Sequence, residues 1–336
     1  MSRVKLYFRE ENTDESTASD VSANDATRRG NDYGTVNSNP VTTQQLVLIH
    51  RAYSQFAFYD KRLFDLFFRQ MVLLGNKLKP LEIVIIANSM GKSKLHNQAV
   101  VDLLCKRVIA QKSGFTMDMI AVFLHGICVP RDNNNNREFF TKIFEAIIEN
   151  TFEGEINAKH CLTMLQIMTK VKPAQDTCVT FFVNRLLDLR DELSGLETAN
   201  AVAYITKLDA NYAHLSAFVE RYIDRYDKDD AIRNAQHLVI LFYALSRAEG
   251  DTFDKYRNTL LELLHEIPTK YYDPMQVANI LRVMATRKIH DVRLLSELSR
   301  YVEIKMQTSS RLSRLRCCHA FVNTVCFGCD VNCALH

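Results

Sequence analysis

The stretch "IVIIANSMGKSKL", Ile83 to Leu95, admits two incompatible readings, and the fold class depends on which holds. An apolar run followed by Gly91-Lys92-Ser93 resembles the second half of a strand–loop–helix phosphate site. That site needs a glycine five residues before the triplet, so that consecutive backbone N–H groups can converge on phosphate oxygens. The residue there is Ile86, whose β-branched side chain resists positive φ, and Ala87, Asn88, Ser89 and Met90 supply no second glycine. The alternative is that Ile83–Met90 is one copy of a helical pattern repeated along the chain.

The whole chain favours the second reading. Its 336 residues are 47% apolar, enough for a sizeable core, yet contain only 10 glycines, 6 prolines and no tryptophan. Few chain breakers over this length point to an all-α protein. The formal charge is +3, and the first forty residues hold seven acids against five bases, which leaves the remainder near +5. That is mildly basic, far from a strongly cationic nucleic-acid binder. Nine cysteines without an apolar leader segment suit a reducing compartment, and no apolar run is long enough to span a bilayer.

Residues 1–43 are expected to be a disordered polar tail, because 10–43 are rich in Ser, Thr, Asn, Asp and Glu and nearly lack large apolar side chains. The opening "MSRVKLYFR" carries three bases and no acid, as an organellar presequence does, although the acidic residues after it depart from that pattern. From Gln44 onward apolar residues recur at helical spacing in paired segments. Leu66, Leu103, Ile143, Val183, Val219, Tyr256 and Leu295 fall at equivalent places, 37, 40, 40, 36, 37 and 39 residues apart.

This period of about 38 predicts an α-solenoid over 44–325: seven helix–turn–helix units and part of an eighth, starting near 44, 78, 116, 156, 196, 231, 273 and 310. Residues 326–336 form a Cys-rich tail. In this frame "LEIVIIANSM" is the first helix of the second unit, Gly91 is its left-handed C-cap, and Lys92 and Ser93 belong to the turn.

The turns inside the seven units read "YDKR", "MGKSK", "VPRD", "MTKVK", "ITKLD", "LSRAEG" and "MATRK", and each contains a base. Lys61, Arg62, Lys92, Lys94, Arg131, Lys170, Lys172, Lys207, Arg247, Arg287 and Lys288 are therefore candidates to line one edge and track the phosphates of an RNA strand. The competing explanation is local, since cations at helix C-termini complement the macrodipole. Acids at Asp60, Asp132, Asp209 and Glu249 interrupt the series.

Other chemistry is thinly represented. Cys326 and Cys329 form a C-x-x-C pair to which Cys317, Cys318, His319, Cys333 or His336 could be added, but the spacing is short for a zinc finger, and no metal or cofactor is expected. Cys105, Cys128, Cys161 and Cys178 read as small core residues. His125, His160, His214, His237 and His265 lie in separate segments with no nucleophile at a recognisable spacing, so an enzyme is not expected. "DRYDKDD", Asp224–Asp230, lacks the glycine and distal glutamate of a calcium loop and reads as an inter-repeat turn.

Units with the form "VANILRVMATRKIHD" followed by "VRLLSELSRYV" resemble the degenerate helical repeats of organellar RNA-binding proteins, namely the octotricopeptide and heptatricopeptide repeat proteins and the FAST-kinase-like RAP-domain proteins. The resemblance covers residues 44 to about 325. It implies a mitochondrial or plastid location and work on organellar transcripts, ribosomal RNA or ribosome assembly. A RAP domain often follows the repeats in that family; none is read here, so the activity associated with it is not expected. The alternative is a cytoplasmic or organellar scaffold that presents the same surface to protein partners.

Overall fold

The computed structural model describes residues 41–56, 60–128, 137–171, 176–208 and 214–308. The chain divides into two units, Met1–Pro40 and Val41–His336, and all described residues belong to the second. They form α1 (Thr43–Gln55), α2 (Lys61–Leu74), α3 (Pro80–Ser93), α4 (Gln98–Ala110), α5 (Met117–Ile127), α6 (Arg137–Ile148) and α7 (Ala158–Val171). There follow α8 (Asp176–Asp188), α9 (Gly195–Leu208), α10 (Leu215–Asp224), α11 (Ala231–Leu245), α12 (Thr252–Glu266), α13 (Pro274–Thr286) and α14 (Val292–Thr308). The described chain is all-α; its one β-type pairing is an isolated bridge between Thr116 and Glu153.

The helix starts are written in local chemistry. Thr42 and Gln45 form a reciprocal capping box before α1, as do Asp273 and Gln276 before α13, where Pro274 occupies the first helical position. Thr116 caps α5 through the Met119 N–H, Asp230 caps α11 through the Arg233 N–H, and Ser194 pairs with Glu197 at the start of α9. The Lys79 N–H is taken by the Glu82 carboxylate at 2.8 Å ahead of α3.

Four short 3₁₀ turns join one helix pair to the next: Gly75–Lys77, Lys112–Gly114, Arg190–Glu192 and Thr269–Tyr271. Each is followed by one extended, buried apolar residue, respectively Leu78, Phe115, Leu193 and Tyr272, which pins the link to the core. Three of these links are also clamped from the second helix of the following pair. Arg107 donates to the Leu78 carbonyl at 3.3 Å, Arg221 to those of Arg190 and Asp191 at 2.6 Å, and the Tyr301 hydroxyl to that of Tyr272 at 2.7 Å. These bonds answer backbone acceptors that a buried link would otherwise leave unpaired.

Odd-numbered helices pack in chain order, α1 on α3, α3 on α5, and so on to α13, while α2 meets α4, α6 meets α8 and α10 meets α12. The seven sequence-aligned positions all fall on even-numbered helices. Ile143, Val183, Val219 and Tyr256 are buried there, and Leu66, Leu103 and Leu295 half-buried. Helix α3 runs unbroken through Ile83, Ile86, Ala87 and Met90, all fully buried, so the opening stretch is helix and not strand.

One expectation at that helix fails. Gly91 is not the left-handed cap; it lies inside α3, and Lys94 takes the left-handed cap conformation with φ 56°. Lys92 and Ser93 are likewise helical, and the buried Ser93 hydroxyl bonds the Met90 carbonyl. Gly91 is needed for packing: a β-carbon there would stand 2.9 Å from the Gly126 backbone in α5. The glycine allows two backbones to approach, which a turn signal in the sequence does not distinguish from a cap.

Candidate nucleic-acid interface

The expected interface is the edge where the first helix of each pair gives way to the second. Lys92, Lys170 and Lys207 occupy the last turns of α3, α7 and α9, where the partial negative charge of the helix end favours a cation. Arg247 follows α11, while Arg287 caps α13 and Lys288 adopts φ 52° just after it. Lys61 and Arg62 depart from this pattern, because Asp60 caps α2 and places both at a helix N-terminus, where the macrodipole opposes a cation. Arg131 and Lys172 lie outside the described residues.

Close approaches bring neighbouring helix ends together. Gly91 meets Gly126 near the C-termini of α3 and α5. The His125 imidazole, at the end of α5, is held below its ordinary range by burial and by the charge of Lys170 on α7, and Lys170 also acts on Cys128. Arg287 reaches from the end of α13 to the carbonyls of Ser246 and Ala248, both at 2.8 Å, and its guanidinium lies 5.0 Å from the Phe253 ring centroid. The C-terminal ends within the α3–α5, α5–α7 and α11–α13 pairs therefore adjoin.

The members of the series differ in what they offer a ligand. Lys61, Arg62, Lys92, Lys94, Lys207, Arg247 and Lys288 are exposed, whereas Lys170 and Arg287 are half-buried. Arg287 spends its fork on two backbone carbonyls and an aromatic face, so it holds the α11–α12 turn in place. Of the interrupting acids, Asp60 and Glu249 are exposed; Asp132 and Asp209 lie outside the described residues.

The 3₁₀ links between helix pairs carry bases too, which the turn motifs do not reveal. Each 3₁₀ link carries one base, namely Lys77, Lys112, Arg190 and Lys270. The signal is present in the tripeptides "GNK", "KSG", "RDE" and "TKY", but these share no common residue order.

The His160 ring bonds Asp118 at 2.9 Å and His265 bonds Asp291 at 2.7 Å, each tying one helix to another segment. His237 is half-buried, and His125 and His214 are exposed. Among the described residues no group of three His, Cys, Asp or Glu side chains is placed to hold a metal. The C-terminal cysteine and histidine cluster lies outside them.

Cys105, Cys128, Cys161 and Cys178 are free and buried. Burial pushes the Cys161 thiol up to about 12 and that of Cys128 to about 11, and raises those of Cys105 and Cys178. Asp224–Asp230 runs from the end of α10 through the link to α11, as expected of a turn between helix pairs. No helix among the described residues is long and apolar enough to cross a membrane. No family model and no curated protein matches the chain.

Proposed function

We propose that the chain is an α-solenoid of seven to eight helix–turn–helix repeats that binds RNA non-catalytically along its intra-repeat turn edge. The observation that supports this reading is the exposure of Lys92, Lys94, Lys207, Arg247 and Lys288 at or just after the C-terminal ends of odd-numbered helices, of which the α3–α5, α5–α7 and α11–α13 ends adjoin. Spaced cations on a fixed scaffold neutralise successive phosphates and release counterions, giving affinity with little sequence preference. Helix-dipole complementarity accounts for Lys92, Lys170 and Lys207, but not for Lys61 and Arg62 at the start of α2. The resemblance to organellar repeat proteins supports a mitochondrial role in transcript metabolism or ribosome assembly.

A protein-scaffold role is the second reading. It is favoured by exposed large apolar side chains, among them Leu48, Leu81, Val122, Ile232 and Met275 on odd-numbered helices and Leu73 and Val292 on even-numbered ones.

The test is RNA affinity over a salt series for the wild type and for a variant with Lys92, Lys94, Lys207, Arg247 and Lys288 changed to Gln. With fewer phosphates neutralised, binding should weaken and the log–log salt slope should flatten by about 0.7 for each phosphate left unpaired, while circular dichroism stays unchanged. Equal affinity and slope in a folded variant would assign these bases to helix stability and favour the scaffold. Crosslinking in cells followed by sequencing of bound RNA identifies the transcript and its compartment.

A further inference from the structure

The sixth residue of every odd-numbered helix lies off the core. Leu48, Ile85, Val122, Thr163, Asn200, Gln236 and Asn279, from α1 to α13, are all exposed or half-buried. The series changes character along the chain. In α1, α3 and α5 it is apolar, and in α9, α11 and α13 it is a carboxamide; Thr163 in α7 stands between them, its hydroxyl turned back to the Lys159 carbonyl at 2.9 Å. Each of the three carboxamides follows a buried alanine, Ala199, Ala235 or Ala278, so the last three odd-numbered helices repeat one local pattern. No hydrogen bond holds the Asn200, Gln236 or Asn279 side chain among the described residues, which leaves each with a free donor beside a free acceptor.

The surroundings of these amides are equally regular. Helices α9, α11 and α13 pack in that order, and Arg282 of α13 lies over Tyr243 of α11, its guanidinium 5.8 Å from the ring centroid, so the outer sides of these two helices form one surface. Helical spacing places Tyr204 on the stripe of Asn200, Tyr243 on that of Gln236 and Arg282 on that of Asn279. Tyr204 and Tyr243 are half-buried, with part of each ring accessible. Lys207, Arg247 and Lys288 follow the three amides by seven, eleven and nine residues, about 10–16 Å along a helix. Amide, planar side chain and turn-edge cation thus recur together on the last three odd-numbered helices, whereas Leu48, Ile85 and Val122 offer no hydrogen bond at the corresponding place.

We propose that the outer side of α9, α11 and α13 reads the nucleobases of a single-stranded RNA, with Asn200, Gln236 and Asn279 each bonding the edge of one of three successive nucleotides while the phosphates follow Lys207, Arg247 and Lys288. This rests on the RNA-binding reading of the turn edge. A carboxamide sets a donor beside an acceptor and so matches a nucleobase edge through two bonds at once. Only an unpaired strand can splay its nucleobases toward a helix face and stack them on tyrosine rings or an arginine plane, as Tyr204, Tyr243 and Arg282 allow. Sequence preference is then confined to the part of the strand that crosses α9 to α13, and the part that crosses α1 to α5 is held without it. The order of the helices puts the nucleotide read by Gln236 in the middle of the three.

The experiment passes a single-stranded RNA library of random sequence over the full chain and sequences what is retained. The wild type should enrich a run of three adjacent positions, each favouring its nucleobase about tenfold or more, the discrimination expected of a two-bond contact. A variant with Asn200→Ala, Gln236→Ala and Asn279→Ala should still retain RNA with the salt slope of the wild type, because its turn-edge cations are intact, but should enrich no motif. Gln236→Ala alone should level only the middle position. Circular dichroism checks the fold, and the three single variants, each levelling its own position, carry the test if the triple variant does not fold. Retention of RNA by the wild type without a motif, or the same motif in the folded variants, overturns the base reading and leaves the turn-edge reading standing. Failure of the wild type to retain RNA even at low salt overturns both.

Discussion

Gly126 in α5 lies so close to Ala87 in α3 that a β-carbon at position 126 would stand 2.3 Å from the Ala87 carbonyl oxygen and 2.7 Å from the Asn88 nitrogen. Both neighbours are backbone atoms of a buried helix, so no side chain can turn aside. Gly126→Ala should force α3 and α5 apart and cost about 3 kcal/mol or more, as overpacking of a close approach does. Gly91→Ala, which meets the Gly126 backbone at 2.9 Å, should cost somewhat less, and the two should not add because they strain one helix crossing. Urea unfolding of the three variants measures this; full additivity would contradict a shared crossing.

His50 makes the first helix pair sensitive to pH. Its ring is wholly buried, with its centroid 5.3 and 5.8 Å from those of Phe64 and Phe67, and neither ring nitrogen has a hydrogen-bond partner among the described residues. Burial lowers its pKa from 6.5 to about 4. The unfolded chain therefore takes up a proton that the folded chain refuses, and stability present above about pH 6.5 is lost as pH falls toward 4, by about 3 kcal/mol. His50→Leu should remove this loss from the pH profile of stability and add about 1–3 kcal/mol at neutral pH by deleting two unpaired polar atoms. Chemical unfolding at a pH well above and a pH well below the ordinary histidine range provides the comparison.

Arg287 and Lys288 are adjacent bases with different roles. Arg287→Ala should destabilise by about 2–3 kcal/mol, because the Ser246 and Ala248 carbonyls lose a charged donor. Lys288→Ala should cost less than half as much, because the side chain is exposed and its positive φ strains alanine and lysine alike. The two melting temperatures check the ordering.

Lys94 and Lys288 both hold left-handed backbone conformations, with φ 56° and 52°. Replacing either by glycine relieves that strain and should stabilise by about 0.5–1 kcal/mol while deleting a charge from the turn edge. A Lys94→Gly, Lys288→Gly variant that melts higher yet binds RNA more weakly would isolate charge from stability.

The helical class and the pairing of segments are legible because burial imposes the 3.6-residue rhythm directly on the sequence. The starts expected near 44, 78, 116, 156, 196, 231 and 273 each fall within two residues of an odd-numbered helix, while the eighth, near 310, lies outside the described residues. Gly91 misleads because the same residue type serves a left-handed cap and a close helix crossing, and only the partner backbone at Gly126 distinguishes them. For similar reasons Arg287 looks like its neighbours in the turn: its engagement with Ser246 and Ala248 joins residues 41 and 39 apart in sequence.

The four sequestered thiols act as built-in reporters. Cys105, Cys161 and Cys178 lie on α4, α7 and α8, and Cys128 closes α5, so they mark several different helices. Each is shielded from solvent and kept protonated, hence nearly inert toward alkylating reagents while its helix stays packed. Peptide-resolved alkylation under native conditions thus becomes a clock for local opening, reading whether these helices open one after another or all at once.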